Sequence, residues 1–180
     1  MTLKSMPVIG KGFTLVELLV VVCIVGVLAS VLFNRVLFYQ EMAEKAAMQQ
    51  VVGAIQSALV LQYGHRMTLG MGTAMDSIRN ENPLDWLSQK PPNYAGEFAS
   101  VKPATIDPGN WAFDKQTHEL IYVPDHAAFF VPKNDGSKWI RYRTRFEYES
   151  TPGYKGQGEK RLAAVTFSPV EAYQWVIRGN

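Results

Sequence analysis

The sequence is poor in cysteine and in net charge, and it is not enriched in glycine or proline. Its one cysteine, Cys23, lies inside an apolar run, so no disulfide can form within the chain. The 14 glycines and 10 prolines are ordinary numbers for 180 residues, which excludes collagen-like and low-complexity chains. The net charge is only +2, so overall charge gives no argument for binding nucleic acid or another anionic surface.

Signatures of catalysis and of metal or nucleotide binding are also missing. The histidines lack zinc-type spacing, and the loop aspartates match no compact calcium loop. The clustered glycines do not stand between a strand and a helix, and no Gly-x-Ser-x-Gly sequence occurs. These residues are His65, His118 and His126; Asp107, Asp114, Asp125 and Asp135; and Gly153, Gly156 and Gly158. The sequence therefore predicts neither an enzyme nor a metal or cofactor site.

The longest feature present is an apolar run from Phe13 to Phe33 that contains one charged residue, Glu17. As a helix it would cover about 31 Å, the thickness of a bilayer core. Fifteen of its residues are Leu, Ile, Val or Phe, and together they favour insertion by about 7 kcal/mol. Glu17 opposes insertion by about 3 kcal/mol at most. We therefore predict a membrane span over 13–33, with Lys4 and Lys11 on the cytoplasmic side and the C-terminal domain outside.

Beyond the span, the pattern becomes amphipathic and contains no proline as far as Tyr63. We predict one helix of about 50 residues, roughly 75 Å long, whose second half covers 34–63 and stops at Gly64. Glu41 and Lys45 have the spacing of an i,i+4 ion pair. Apolar residues, many of them small, recur at intervals of three and four, and we expect them to pack on the domain that follows. These residues are Val36, Tyr39, Ala43, Ala47, Val51, Ala54, Ala58 and Leu61.

The residues around the start of the apolar run form a specific motif. Lys11-Gly12-Phe13-Thr14-Leu15-Val16-Glu17 resembles the leader junction of type IV pilins and of type II secretion pseudopilins. The resemblance implies that 1–12 is a leader and that prepilin peptidase cuts between Gly12 and Phe13. It also implies that the new amino group of Phe13 is N-methylated and that Glu17 directs assembly.

The chemistry of Glu17 supports the same role. A carboxylate in hydrocarbon needs a partner, and cleavage would create a cation at Phe13, one helical turn away. In the family that amine belongs to a neighbouring subunit, and a salt bridge to it would offset both burial costs and fix the register between helices. Two alternatives remain open. Glu17 could snorkel to the headgroups, or the run could be a secretory signal cut after Ala29.

Residues 64–180 read as an α+β domain, and we predict that the long N-terminal helix packs on a small antiparallel sheet. Short helices are predicted from Thr73 to Arg79 and from Asn82 to Leu87. The strands expected from alternation and turn signals are Trp111–Phe113, Glu119–Val123, Ala127–Val131, Trp139–Glu149, Arg161–Phe167 and Tyr173–Ile177. This arrangement resembles the pilin roll.

Two features bear on which pilin-like protein this is. The stretch from Asn82 to Glu97 resembles a segment of minor pilins of the mannose-sensitive haemagglutinin type. The C-terminal region lacks the cysteines that usually pin it in major pilins, which favours a minor pilin or a pseudopilin.

The predicted function is that of a structural subunit of a type IV pilus. Its expected partners are prepilin peptidase, other pilin subunits, an inner-membrane assembly platform and membrane lipid. The expected location is the bacterial inner membrane, with the C-terminal domain in the periplasm, and then the filament. The alternatives are a type II secretion pseudopilin, or a DNA-binding minor pilin that uses the row Arg141, Arg143 and Arg145. The simpler interpretation of that row is a solvated face balanced by Glu147 and Glu149.

Overall fold

A computed structural model describes residues 12–70, 75–132, 136, 138–151 and 159–176. By its contacts the chain divides into two compact units, Met1–Tyr39 and Gln40–Asn180. Helix α1, Leu15–Thr68, contributes to both. In the first unit the apolar side chains of 13–33 are exposed, whereas the second unit contains the hydrophobic core.

The two ends of α1 are fixed by local chemistry. At the start, the Thr14 hydroxyl accepts a hydrogen bond from the Glu17 backbone N–H at 3.2 Å, which satisfies one free donor of the first turn. At the end, the helix runs past Gly64, so the predicted stop there is wrong. Arg66, in the turn beyond Gly64, forms a 2.7 Å ion pair with Glu81, and an internal glycine costs only about 1 kcal/mol. Gly70, with φ +69°, follows the last turn instead.

The remaining elements form an α+β unit, as predicted. The short helix α2 covers Met75–Asn80, and 3₁₀ turns cover Pro83–Trp86 and Pro103–Thr105. The predicted start of α2 at Thr73 lies outside the described residues. The strands are β1 Tyr94–Phe98, β2 Trp111–Asp114, β3 Glu119–Tyr122, β4 Phe130–Pro132, β5 Ile140–Thr151, β6 Glu159–Pro169 and β7 Tyr173–Trp175.

The strands form two sheets rather than one antiparallel sheet. The larger has the order β1-β2-β3-β5-β6, and β4 pairs with β7 in a separate two-stranded ribbon. The sheet is mixed because β1, which the sequence analysis missed, runs parallel to β2. A glycine at its centre, Gly96 with φ +116°, interrupts the alternation by which a strand is recognised.

The face of α1 that packs on the sheet includes only part of the predicted stripe, since Val51 packs against the core and Ala58 is half-buried. The fully buried positions are Met48, Ile55 and Leu59, whereas the predicted Leu61 is 74% exposed. Ala43, Ala47 and Ala54 are exposed as well. The larger side chains remove more apolar area from water, so the helix turns them toward Trp111, Tyr122 and Tyr142.

Alternation along β5 is confirmed for most of its length. Ile140 and Tyr142 are buried, and Arg141 between them points the other way. Tyr148, predicted to face inward, is 50% exposed. A register shift between Glu147 and Tyr148 breaks the two-residue period at that point.

One turn of the sheet depends on a buried carboxylate. Asp114 ends β2 and accepts hydrogen bonds from the backbone N–H groups of Val101 (2.8 Å), Gln116 (2.8 Å) and Thr117 (2.9 Å). Burial alone would raise the pKa of Asp114, but these donors hold that pKa below its ordinary value. Asp114 therefore stabilises the fold in its ionised form.

We expect Asp114→Asn to lower the free energy of unfolding by about 1–3 kcal/mol at neutral pH, because the amide cannot accept all three bonds. Since the folded pKa is depressed, this stabilisation is full above the unfolded pKa of about 3.9 and is lost as pH falls through the folded pKa. Thermal unfolding of the detergent-solubilised chain at a series of acidic pH values measures both effects. Asp107→Asn, at an exposed aspartate, is the matched control. Equal behaviour of the two variants would contradict the assignment.

Candidate functional site

The N-terminal motif lies at the junction between irregular chain and helix. Gly12 and Phe13 precede α1, and the Phe13 side chain is 70% exposed. Glu17 is the acidic residue of the first helical turn, where the helix dipole favours a negative charge. Its side chain is exposed, one turn from Phe13. The structure thus leaves both the peptide bond after Gly12 and the carboxylate accessible to other molecules.

The apolar part of α1 is long and apolar enough to cross a membrane, and none of it is buried inside the protein. A core helix of a soluble domain would be covered by its own chain, so this surface needs another apolar environment. Ala29, the predicted site of the alternative signal cleavage, lies inside α1. Gly12 lies outside the helix, in the irregular backbone that proteases prefer.

The arginine row is confirmed as a shared face but is paired with carboxylates. Arg143 donates to the buried Glu119 at 2.6 Å, Arg141 lies 3.6 Å from the same side chain, and Arg141 also pairs with Glu171. Arg145 donates to the backbone oxygens of Pro169 and Val170. The contacts described for the three arginines are thus to Glu119, Glu171 and backbone oxygens, while the side chain of Glu149, one of the two predicted balancing residues, lies outside the described part of the chain. The register of β3 with β5 instead places Glu119 beside Arg143 on one face of the sheet.

The described His and Asp residues considered for metal binding are either hydrogen-bonded within the fold or exposed to solvent. Within the described part of the chain, no group of three His, Cys, Asp or Glu side chains could hold a metal ion. Asp114 closes its turn, and the His118 ring lies 3.2 Å from the Asn80 carbonyl oxygen. His126 binds Glu44, while Asp107 and His65 are exposed. Asp135, Gly153, Gly156 and Gly158 lie outside the described residues.

Three charged residues of helix α1 form a polar clamp within the globular unit. We use the name clamp for Glu41, Glu44 and Lys45. Glu44 accepts hydrogen bonds from the Tyr122 hydroxyl (2.8 Å), from the backbone N–H groups of Asp125 and His126 (both 2.7 Å), and from His126 Nδ1 (2.9 Å).

The other two clamp residues hold the ribbon β4–β7. Glu41 is only 2% exposed and accepts from the Phe129 backbone N–H (2.9 Å) and from Trp175 Nε1 (2.8 Å). Lys45 donates to the Trp175 carbonyl oxygen at 2.6 Å. The predicted Glu41–Lys45 ion pair is therefore replaced by bonds to the domain. A signal was present, because positions 41, 44, 48, 55 and 59 follow one another at steps of three, four or seven residues, which place them on one face of a helix.

The comparisons with known proteins agree with the N-terminal motif. Residues 10–33 match the family model of the prokaryotic N-terminal methylation motif. This motif is the signal of type IV pilins and pseudopilins, and it marks pilin-like substrates of prepilin peptidase that serve as structural subunits. Searches of curated proteins and of solved structures found no match. The motif and the apolar helix together are consistent with membrane anchoring.

Proposed function

We propose that this protein is a minor pilin or pilin-like subunit of a type IV pilus, processed by prepilin peptidase and assembled through its N-terminal helix. The observation that carries the proposal is the methylation motif over residues 10–33, whose helical part, 15–33, has all of its apolar side chains exposed. Such a surface is stable first in lipid and later against the same helix of neighbouring subunits.

The segments take distinct roles in this proposal. Residues 1–12 are a leader removed on the cytoplasmic side, and 13–33 span the inner membrane. Residues 34–63 continue the helix, and the domain over 64–180 lies in the periplasm. The assembly platform then moves the subunit from lipid into the filament.

Within the filament, Glu17 pairs with the methylated amino group of Phe13 on an adjacent subunit. Methylation leaves the amine cationic, so the attraction persists. Burying either charge alone is costly, and the pair offsets the cost only at one axial offset between helices. The exposed position of Glu17 in the first turn supports this role, because it leaves the carboxylate open to a second chain.

Processing is the direct test. Mass spectrometry of the chain from cells that contain prepilin peptidase should find a mature N-terminus at N-methyl-Phe13. Gly12→Val should leave the leader attached, because a branched side chain stands at the cleaved bond. Gly26→Ala, inside the same apolar segment, should be processed normally. A native chain that begins at Met1, or at Ser30 after signal cleavage, would overturn the proposal.

The alternative is a pseudopilin of a type II secretion system, which shares the motif. Deletion of the gene separates the two, since one predicts loss of pili and the other loss of secreted proteins. The DNA-binding alternative gains no support from the arginine row. Its guanidinium groups already bind Glu119, Glu171 and backbone oxygens, so phosphate would have to displace them.

A further inference from the structure

Strand β6 is the last strand of the five-stranded sheet, and within the described part of the chain its outer edge pairs with no other strand. Residues 162–167 of this strand read Leu-Ala-Ala-Val-Thr-Phe and contain neither a charged residue nor a proline. An open strand edge with such a sequence is a template for pairing with another chain, because its backbone N–H and C=O groups lack partners. The outer edge of β6 is therefore a hazard unless another part of the fold covers it.

The backbone groups that point to the outer edge belong to every second residue of β6. In an antiparallel strand, the N–H and C=O of one residue point to the same edge, and those of the next residue point to the other edge. The Phe167 N–H and the Val165 carbonyl oxygen bond to a side chain of α1 and not to β5. The outward residues are therefore Val165, Phe167 and, two positions further, Pro169.

The side chain that meets this edge is Gln56 of α1. Its Oε1 accepts a hydrogen bond from the Phe167 backbone N–H at 2.6 Å, and its Nε2 donates to the Val165 backbone oxygen at 3.3 Å. A carboxamide offers the same acceptor and donor as a peptide unit, so it takes the place of one peptide of a neighbouring strand. Ile55 and Leu59, beside Gln56 on α1, are fully buried and fix the position of the amide.

The outward residue nearest the end of β6 is closed in a different way. Pro169 has no backbone N–H, and its carbonyl oxygen accepts a hydrogen bond from Arg145 at 3.2 Å. An added antiparallel strand would need both the N–H and the C=O of each outward residue. Each of the three outward residues therefore has at least one of these two groups missing or already bonded. Gln56 is the blocking group that a substitution can remove without changing β6 itself.

We propose that the Gln56 carboxamide closes the outer edge of β6 against pairing with the β6 strand of a second copy of this chain. Identical edges are complementary to one another, since two antiparallel copies related by a two-fold axis bond the same groups in both directions. The uncharged stretch 162–167 provides no repulsion that would keep two such edges apart. This role concerns the globular unit alone and does not depend on the proposed function.

The test compares Gln56→Met with Gln49→Met in the full chain, solubilised in detergent with a reductant. Methionine has nearly the length of glutamine but can make neither of the two hydrogen bonds. Gln49 is exposed on the same helix, so its replacement adds the same apolar side chain and leaves the Gln56 amide in place. Sedimentation velocity over a range of protein concentrations measures the association constant. Hydrogen exchange of residues 162–169 shows where the copies meet.

We expect Gln56→Met to raise the association constant at least about tenfold above that of Gln49→Met, because a second β6 strand no longer has to displace two hydrogen bonds. Residues 162–169 should exchange faster than in the parent when the sample is dilute, and more slowly when it is concentrated. Gln56→Ala, which also lacks the amide, should behave in the same way. Equal association constants of the two methionine variants would overturn the proposal, as would association that gives residues 162–169 no added protection.

Discussion

Replacing Glu17 with alanine should abolish incorporation into filaments while leaving membrane insertion intact. The substitution removes the single charged residue of the apolar run and with it a cost of up to about 3 kcal/mol, so insertion becomes more favourable. Assembly loses the carboxylate that would neutralise the amine of the adjacent subunit. That amine would be left buried without a partner, at a cost of about 3–5 kcal/mol for each interface. A penalty of this size corresponds to at least a hundredfold loss of incorporation.

Immunoblots of sheared filaments and of membrane fractions measure the two effects separately. Leu18→Ala, at the next exposed residue of the same helix, is the control for the loss of side-chain volume. This variant should be incorporated into filaments. Glu17→Gln keeps the shape but not the charge and should fail like alanine. Normal incorporation of both Glu17 variants would show that charge pairing does not direct assembly.

Glu44→Ala should destabilise the globular unit more than Asp114→Asn does. The carboxylate has only 11% of its side chain exposed and accepts four hydrogen bonds, two of them from adjacent backbone N–H groups. Alanine leaves those donors without an acceptor near the Tyr122 hydroxyl. Since bonds to a charged group contribute about 1.5–3 kcal/mol each and unpaired donors add their own cost, we expect a loss of about 3 kcal/mol or more.

Thermal unfolding of the detergent-solubilised chain, followed by near-ultraviolet circular dichroism, measures this loss. Gln49→Ala, at an exposed position of the same helix, should be nearly neutral. Hydrogen exchange adds a local readout, because the segment 123–130 should lose protection before the β2–β3 hairpin does. If Glu44→Ala unfolds at the parent temperature, the clamp does not hold this segment.

The sequence predicted the features whose signals are local. The apolar run, the long proline-free helix, most strands of the main sheet and the alternation along Ile140–Tyr142 follow from composition and short periods. The methylation motif is also local, since Gly12, Phe13 and Glu17 stand within six residues. Strand β1 was missed because Gly96 breaks its pattern, and its parallel pairing with β2 joins segments that no hairpin turn connects.

The sequence alone determined that this chain carries an N-terminal methylation motif, one apolar segment of membrane-spanning length and an α+β domain without a disulfide. Only the tertiary structure decided which face of α1 is buried and what its charged residues do. In a long helix, more than one set of residues has the three- and four-residue spacing of a buried face. Which set is buried depends on which side chains pack closely against the sheet. Glu41, Glu44 and Lys45 look like surface charges until the fold brings to them backbone groups from residues 125–129 and 175, which lie about eighty or more positions away in the chain.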